Sequence, residues 1–162
     1  MHILTGIIVP IDGTELDDEI RNKAEWTLEC YEGTVWDWYD IRGGRWINEF
    51  ENENNVIRAS ENNFFEFVNR LRNNQKNEFD YFLNQLPSNN IDDFLKYYEI
   101  KSTTDLATYY LQKFAELLNG DFISCSYIYD SEIGSSKITE ERVKDYGTDR
   151  NHYAIVMVDI HY

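Results

Sequence analysis

Residues Ile3 to Ile11 alternate Ile3, Thr5, Ile7, Val9, Ile11 against Leu4, Gly6, Ile8, Pro10, and both sets are mainly apolar. A strand with one wet face shows polar residues at every second position, so this stretch predicts an internal strand covered on both sides. From Glu15 to Cys30 the apolar spacing lengthens to four. Leu16, Ile20, Ala24 and Leu28 follow one helical face, Thr14 and Asp17 form a cap-like start, and the opposite face is acidic. Val35 to Ile41 returns to a strand pattern that puts Trp36, Trp38 and Asp40 on one face and Asp37, Tyr39 and Ile41 on the other. The following "RGGRW", Arg42 to Trp46, reads as a turn or bulge that uses glycine's freedom at positive φ, and Trp46 to Phe50 as a short strand closing a hairpin.

The Asn-rich Glu51 to Asn55 is a surface loop. A long helical pattern starts at Ser60 with Phe64, Val68 and Leu71, continues with Phe79, Phe82 and Leu86, and stops at Pro87. Its polar centre, "RNNQKNE", leaves open whether this is one helix or two. Asn90 to Tyr98 and Thr104 to Leu118 read as further helices, the second ended by Asn119-Gly120, so residues 60–119 form a helical middle. Phe122 to Tyr129 is a strand, "TEERVKDYG" a helical turn, and "HYAIVMVDIHY" the last strand. The expected fold is α+β, one domain over residues 1–162. Its sheet of four or five strands is mainly antiparallel, with the N- and C-terminal strands central and helices packed on it.

A chain of 162 residues with 42% hydrophobic and 15% aromatic content buries a substantial core without a disulfide or metal. Its two cysteines, Cys30 and Cys125, stand far apart with no zinc-like spacing, which points to a reduced intracellular protein and leaves one disulfide between them as the alternative. The N-terminal apolar run is too short to span a bilayer and has neither a basic flank nor a small-residue cleavage site.

Charge changes the picture most. The formal net charge is −15, and Asp12 to Glu66 alone holds fifteen acids and five bases, two thirds of the excess in one third of the chain. Such a chain repels nucleic acid and anionic membranes and attracts basic surfaces.

Candidate chemistry is sparse. Asp159 and His161 share a face of the last strand, and pairing of the terminal strands brings His2 near them, a cluster with metal-ligating residue types. Polar residues at strand ends have a simpler reading as solubilising groups, so no metal, cofactor or catalytic residue is expected. Glu140, Glu141, Asp92 and Asp93 suit helix N-termini better than a paired-carboxylate site. No phosphate-binding loop, nucleophile elbow or zinc-protease motif is present, and the chain is expected not to be an enzyme. In "WDWYDIRGGRW" the tryptophans read as core and Arg42 and Arg45 as internal salt-bridge partners, for instance of Asp37 or Asp40. The alternative is that Arg42, Gly43, Gly44 and Arg45 bind a nucleotide or phosphate through backbone N–H groups and a guanidinium.

The segments "GIIVPIDGTELDD", "WDWYDIRGGRW" and "VMVDIHY" together resemble small phage and mobile-element proteins with a tryptophan/tyrosine run, a Gly-Gly-Arg-Trp turn and a terminal Asp-x-His strand. The resemblance covers both ends and about forty residues from Gly6 to Trp46 but not the helical middle, and Arg42 departs from its usual "IGGRW". It implies no chemistry. It implies a context, anti-defence proteins such as anti-CRISPR inhibitors, many of them acidic DNA mimics. The function expected is therefore an inhibitor in the host bacterial cytoplasm that binds a basic, nucleic-acid-binding defence effector and touches neither nucleic acid nor membrane. Its expected contacts are Glu15, Asp17, Asp18, Glu25, Glu29 and Glu32 along the first helix and Glu49, Glu51 and Glu53 in the loop.

Overall fold

The two apolar ends of the chain lie side by side. In the computed structural model, residues 2–30, 32–33, 36–85, 128–135 and 138–161 are described. Their elements are β1 (His2–Pro10), α1 (Asp17–Glu29), β2 (Trp38–Asp40), β3 (Val56–Arg58), α2 (Phe64–Gln85), β4 (Ile128–Asp130), β5 (Gly134–Ser135), α3 (Glu140–Thr148) and β6 (Tyr153–His161). β1 and β6 pair antiparallel over nine positions, from His2 opposite His161 to Pro10 opposite Tyr153, and seven consecutive residues of each are buried.

The sheet order is β2-β6-β1-β4-β5, with β3 also on β6. β2 and β3 lie end to end along one edge of β6, opposite residues 159–161 and 154–156. β4 runs parallel to β1, and the other pairings among these strands are antiparallel. The chain is thus an α+β protein with a mostly antiparallel sheet and its terminal strands central, as the two-sided apolar pattern predicts.

Alternation along the central strands splits the core in two. Ile3, Ile7, Val9, Val156, Val158 and Ile160 pack against Ile20, Ala24 and Leu28 of α1. Leu4, Ile8, Ile155 and Met157 face Phe64, Val68 and Leu71 of α2 and Tyr146 of α3. Gly6 faces the α2 layer. A β-carbon there would stand 2.6 Å from the side chains of Ile155 and Leu71.

Local expectations are corrected in three places, and one left open is resolved. Leu16 precedes α1 instead of lying on its buried face and is 71% exposed; Glu19 reaches back to accept its N–H at 2.7 Å. The long pattern from Ser60 forms one unbroken helix, α2, through the polar "RNNQKNE". Gly44 to Glu49 is a 3-10 helix, not a strand, because Trp46 N–H bonds back to Gly43 and Phe50 N–H to Ile47. Of the strand expected from Val35 to Ile41, the described residues form only Trp38–Asp40, and Val35 lies outside them. α3 begins as expected, with Thr139 Oγ1 accepting from the Arg142 N–H at 3.2 Å. The expected helices Asn90–Tyr98 and Thr104–Leu118, the start of the Phe122–Tyr129 strand and Cys125 lie outside the described residues; Cys30 is free and exposed.

Candidate functional site

The "WDWYDIRGGRW" segment is divided between the two faces of the sheet. The chain bends at Asp37, whose N–H donates to the His161 carbonyl at 2.8 Å, and this breaks the pleat between Trp36 and Trp38. Trp36, 2% exposed, enters the α1 layer edge-on to Tyr129. Trp38 falls on the opposite face and is 41% exposed, so the expectation that both indoles share one core face is corrected. Tyr39 returns to the α1 side.

Trp38, His161 and His2 stand in one row across β2, β6 and β1. Their ring centroids are 5.0 to 5.4 Å apart, with Trp38 stacked on His161 and His2 edge-on to both. Below them lies Asp159, 1% exposed. Its carboxylate accepts from the Arg45 N–H at 3.2 Å and from Trp46 Nε1 at 3.2 Å, and it faces His2 Nδ1 at 3.1 Å. A buried carboxylate requires such donors to offset lost hydration. His161 Nδ1 lies 3.6 Å from Asp37. Terminal pairing therefore does assemble His2, Asp159 and His161, but Asp159 is consumed in holding the turn. Among the described residues no group of three or more His, Cys, Asp or Glu side chains has the arrangement of a metal site.

The glycine pair is a constrained turn around that same carboxylate. Gly43 has φ +89° and Gly44 φ +46°, and a β-carbon on Gly44 would stand 2.5 Å from Asp159 Oδ2. In the phosphate-binding alternative the turn's N–H groups face an external anion, whereas here the Arg45 N–H serves Asp159. Arg42 reaches Asp18 at 3.4 Å with its guanidinium and Asp40 at 2.9 Å with its N–H, so its ion-pair partner is Asp18 rather than Asp37 or Asp40. Arg45 is exposed, and no ion pair of its guanidinium occurs among the described residues.

The nine acids expected to bind a partner separate into two groups. At the start of α1, Glu15 pairs with Lys23, Asp17 with Arg58 at 2.7 Å, and Asp18 with Arg21 at 2.8 Å as well as with Arg42. These take up four of the five bases between Asp12 and Glu66. Glu49 pairs with Arg70 at 2.9 Å. The other group has no such partner among the described residues: Glu51 and Glu53 are exposed in the loop, and Glu25, Glu29 and Glu32 gather near Tyr39 at the C-terminal end of α1. The last turn of α1 contains no base. Burial, then the negative field of Glu25, Glu32 and Glu29 and a hydrogen bond to Glu25, push the Tyr39 hydroxyl up to about 12.

Two buried polar networks left no signal in the sequence pattern. Asn55 gives both Nδ2 hydrogens away, to the carbonyls of Ile41 and Met157 at 2.7 Å each, and accepts from Arg21 Nε at 3.0 Å, fixing the junction between β2 and β3. Asp130, at the end of β4, accepts from Arg142 Nε at 2.8 Å and from the Tyr146 hydroxyl at 2.5 Å. Burial and then the bond to Asp130 hold that hydroxyl above its ordinary range. These groups tie α3 to the sheet.

Compared with protein-family models, curated proteins and solved structures, the chain matches none of them. Among the described residues no helix is long and apolar enough to cross a membrane.

Proposed function

We propose that this chain is a non-enzymatic anti-defence inhibitor of phage origin, acting in the bacterial cytoplasm in the manner of an anti-CRISPR protein. Its carboxylates stand in for nucleic-acid phosphates and occupy a basic groove of a host defence effector. One observation carries the reading: Glu25, Glu29 and Glu32 cluster at the negative end of the α1 dipole with no base in the last turn.

That arrangement opposes folding twice. Carboxylates near a helix C-terminus meet the negative end of the macrodipole, and like charges close together repel. The same chain neutralises Glu15, Asp17 and Asp18 at the other end of the helix, so among the described residues the bases that pair with α1 lie away from the cluster. A basic partner would reverse the sign of both unfavourable effects. Of the nine acids, Glu25, Glu29, Glu32, Glu51 and Glu53 are the contacts this reading favours, and Glu15, Asp17, Asp18 and Glu49 hold the fold.

The test is affinity capture from host lysate with the wild type and with a variant carrying Glu29→Lys, Glu32→Lys, Glu51→Lys and Glu53→Lys, its fold checked by circular dichroism. The wild type should retain a basic nucleic-acid-binding protein, the variant should lose it, and DNA should displace it. Association should slow as salt rises from about 0.05 to 0.2 M and the Debye length falls to about 8 Å. Capture that survives charge reversal, or a complex that binds DNA at the same time, rules the mimic mechanism out.

A further inference from the structure

The four tryptophans are not equivalent. Trp36 is in the core, Trp46 is bonded to Asp159 and Trp38 lies on His161, whereas Trp26, on the outward side of α1, is 67% exposed. An indole left in water forgoes a large burial gain, and exposed tryptophans are favoured anchors in protein interfaces. Trp26 forms one wall of an open groove of about 490 Å³, with Pro10 and Lys23 beside it and Ser131 and Glu132 across from α1.

The groove has an apolar wall and one unpaired carboxylate, Glu29, beside its indole. Glu29 lies one helical turn from Trp26 with no base paired to it among the described residues, whereas Glu132, which lines the groove, pairs with Arg142 at 2.5 Å and Glu15 pairs with Lys23. Lys23 is committed: its Nζ donates to the Pro10 carbonyl at 2.9 Å and pairs with Glu15. A flat aromatic face beside an unpaired carboxylate suits a planar cation better than a compact one, because guanidinium stacks on indole and offers several in-plane donors, whereas ammonium is strongly hydrated.

We propose that the Trp26 groove receives an arginine side chain from a basic partner protein, with the guanidinium stacked on the indole and its N–H groups directed to Glu29. This rests on the acidic-face reading and adds the anchor that such a reading lacks. It makes recognition selective for arginine over lysine, which charge alone does not.

Octa-arginine and octa-lysine peptides test it by calorimetry on the intact chain at about 0.05 M salt. The wild type should bind the arginine peptide roughly fivefold more tightly than the lysine peptide, the scale of an exposed cation–π contact. Trp26→Ala, at a solvent-exposed position, should keep its melting temperature and bind both peptides equally, and Trp26→Phe should restore part of the preference. In nitrogen-resolved NMR, the Trp26 indole N–H should shift on adding the arginine peptide. Equal wild-type affinities for both peptides, with binding still weakened by salt, overturn the groove proposal and leave the acidic face standing. Binding of neither peptide overturns both. A concentration-dependent dimer abolished by Trp26→Ala assigns the groove to a second copy of this chain and overturns the arginine assignment.

Discussion

The indole Nε1 of Trp46 donates to the carboxylate of Asp159 at 3.2 Å, joining positions 113 apart in sequence. The contact fixes the Gly43-Gly44 turn to the last strand, and the turn in turn supplies the Arg45 N–H that helps keep Asp159 buried. Loop and strand therefore depend on one carboxylate.

Removing that carboxylate leaves donors without an acceptor. Asp159→Ala should destabilise the protein by about 3–5 kcal/mol, the range for breaking a buried charged network. Asp159→Asn, which retains one acceptor oxygen, should fall between Asp159→Ala and the wild type. Urea unfolding at neutral pH measures both, and an Asp159→Ala midpoint equal to the wild type's would show that the network contributes nothing.

Glycine substitutions should rank by their surroundings. Gly33 has φ +75° and open space where a β-carbon would stand, so its substitution by Ala should cost about 1 kcal/mol. Gly44→Ala adds a clash with Asp159 to its positive φ and should lose clearly more, a further fall in melting temperature of about 2–4 °C for each additional kcal/mol. Equal melting temperatures for the two variants contradict a turn built around Asp159.

The tryptophans of the dense segment should separate. Trp36→Ala should cost about 3–5 kcal/mol as a fully buried aromatic, and Trp38→Ala distinctly less, since its ring is part-exposed and stacked on His161. Chemical denaturation of the two variants decides the order.

Tyr39 reports the acidic cluster through pH. Its folded value of about 12 lies above the ordinary 10.0, so the folded state holds the proton more tightly. The stability this group contributes is complete below pH 10 and is lost as pH rises from about 10 to 12. Tyr39→Phe should remove that part of the alkaline loss. Glu25→Gln, Glu29→Gln and Glu32→Gln together should lower the Tyr39 ionisation toward its ordinary value, read from absorbance difference spectra against Tyr39→Phe. An unchanged titration in the triple variant would place the three carboxylates away from the hydroxyl.

The same cluster should trade stability for binding. Glu29→Gln should raise stability by about 0.3–1 kcal/mol by removing a charge from the negative helix end, while weakening partner capture. Loss of stability on this change would mean that the carboxylate has a structural role.

By itself the sequence determined which surfaces had to be dry. Period two on both faces of Ile3–Ile11 and of the last strand requires an internal position, and period four at Ile20, Ala24 and Leu28 requires a helix with one buried stripe. Hydrophobic burial acts residue by residue, so local spacing records it. The excess of acids between Asp12 and Glu66 was equally plain. Spacing does not record which distant group satisfies a buried polar atom. That Asp159 would be covered by Trp46 and Gly44, that Asn55 would bridge Ile41 and Met157, and that Asp37 would bend the chain and send Trp36 and Trp38 to opposite faces followed only from the β2–β6 register. Tertiary structure likewise decided which acids are neutralised, because Arg58 and Arg42 reach Asp17 and Asp18 from outside α1, while the last turn of α1, which Glu25 precedes and Glu32 follows, holds no base. Ion pairing depends on distance in space, and only the folded chain fixes that distance.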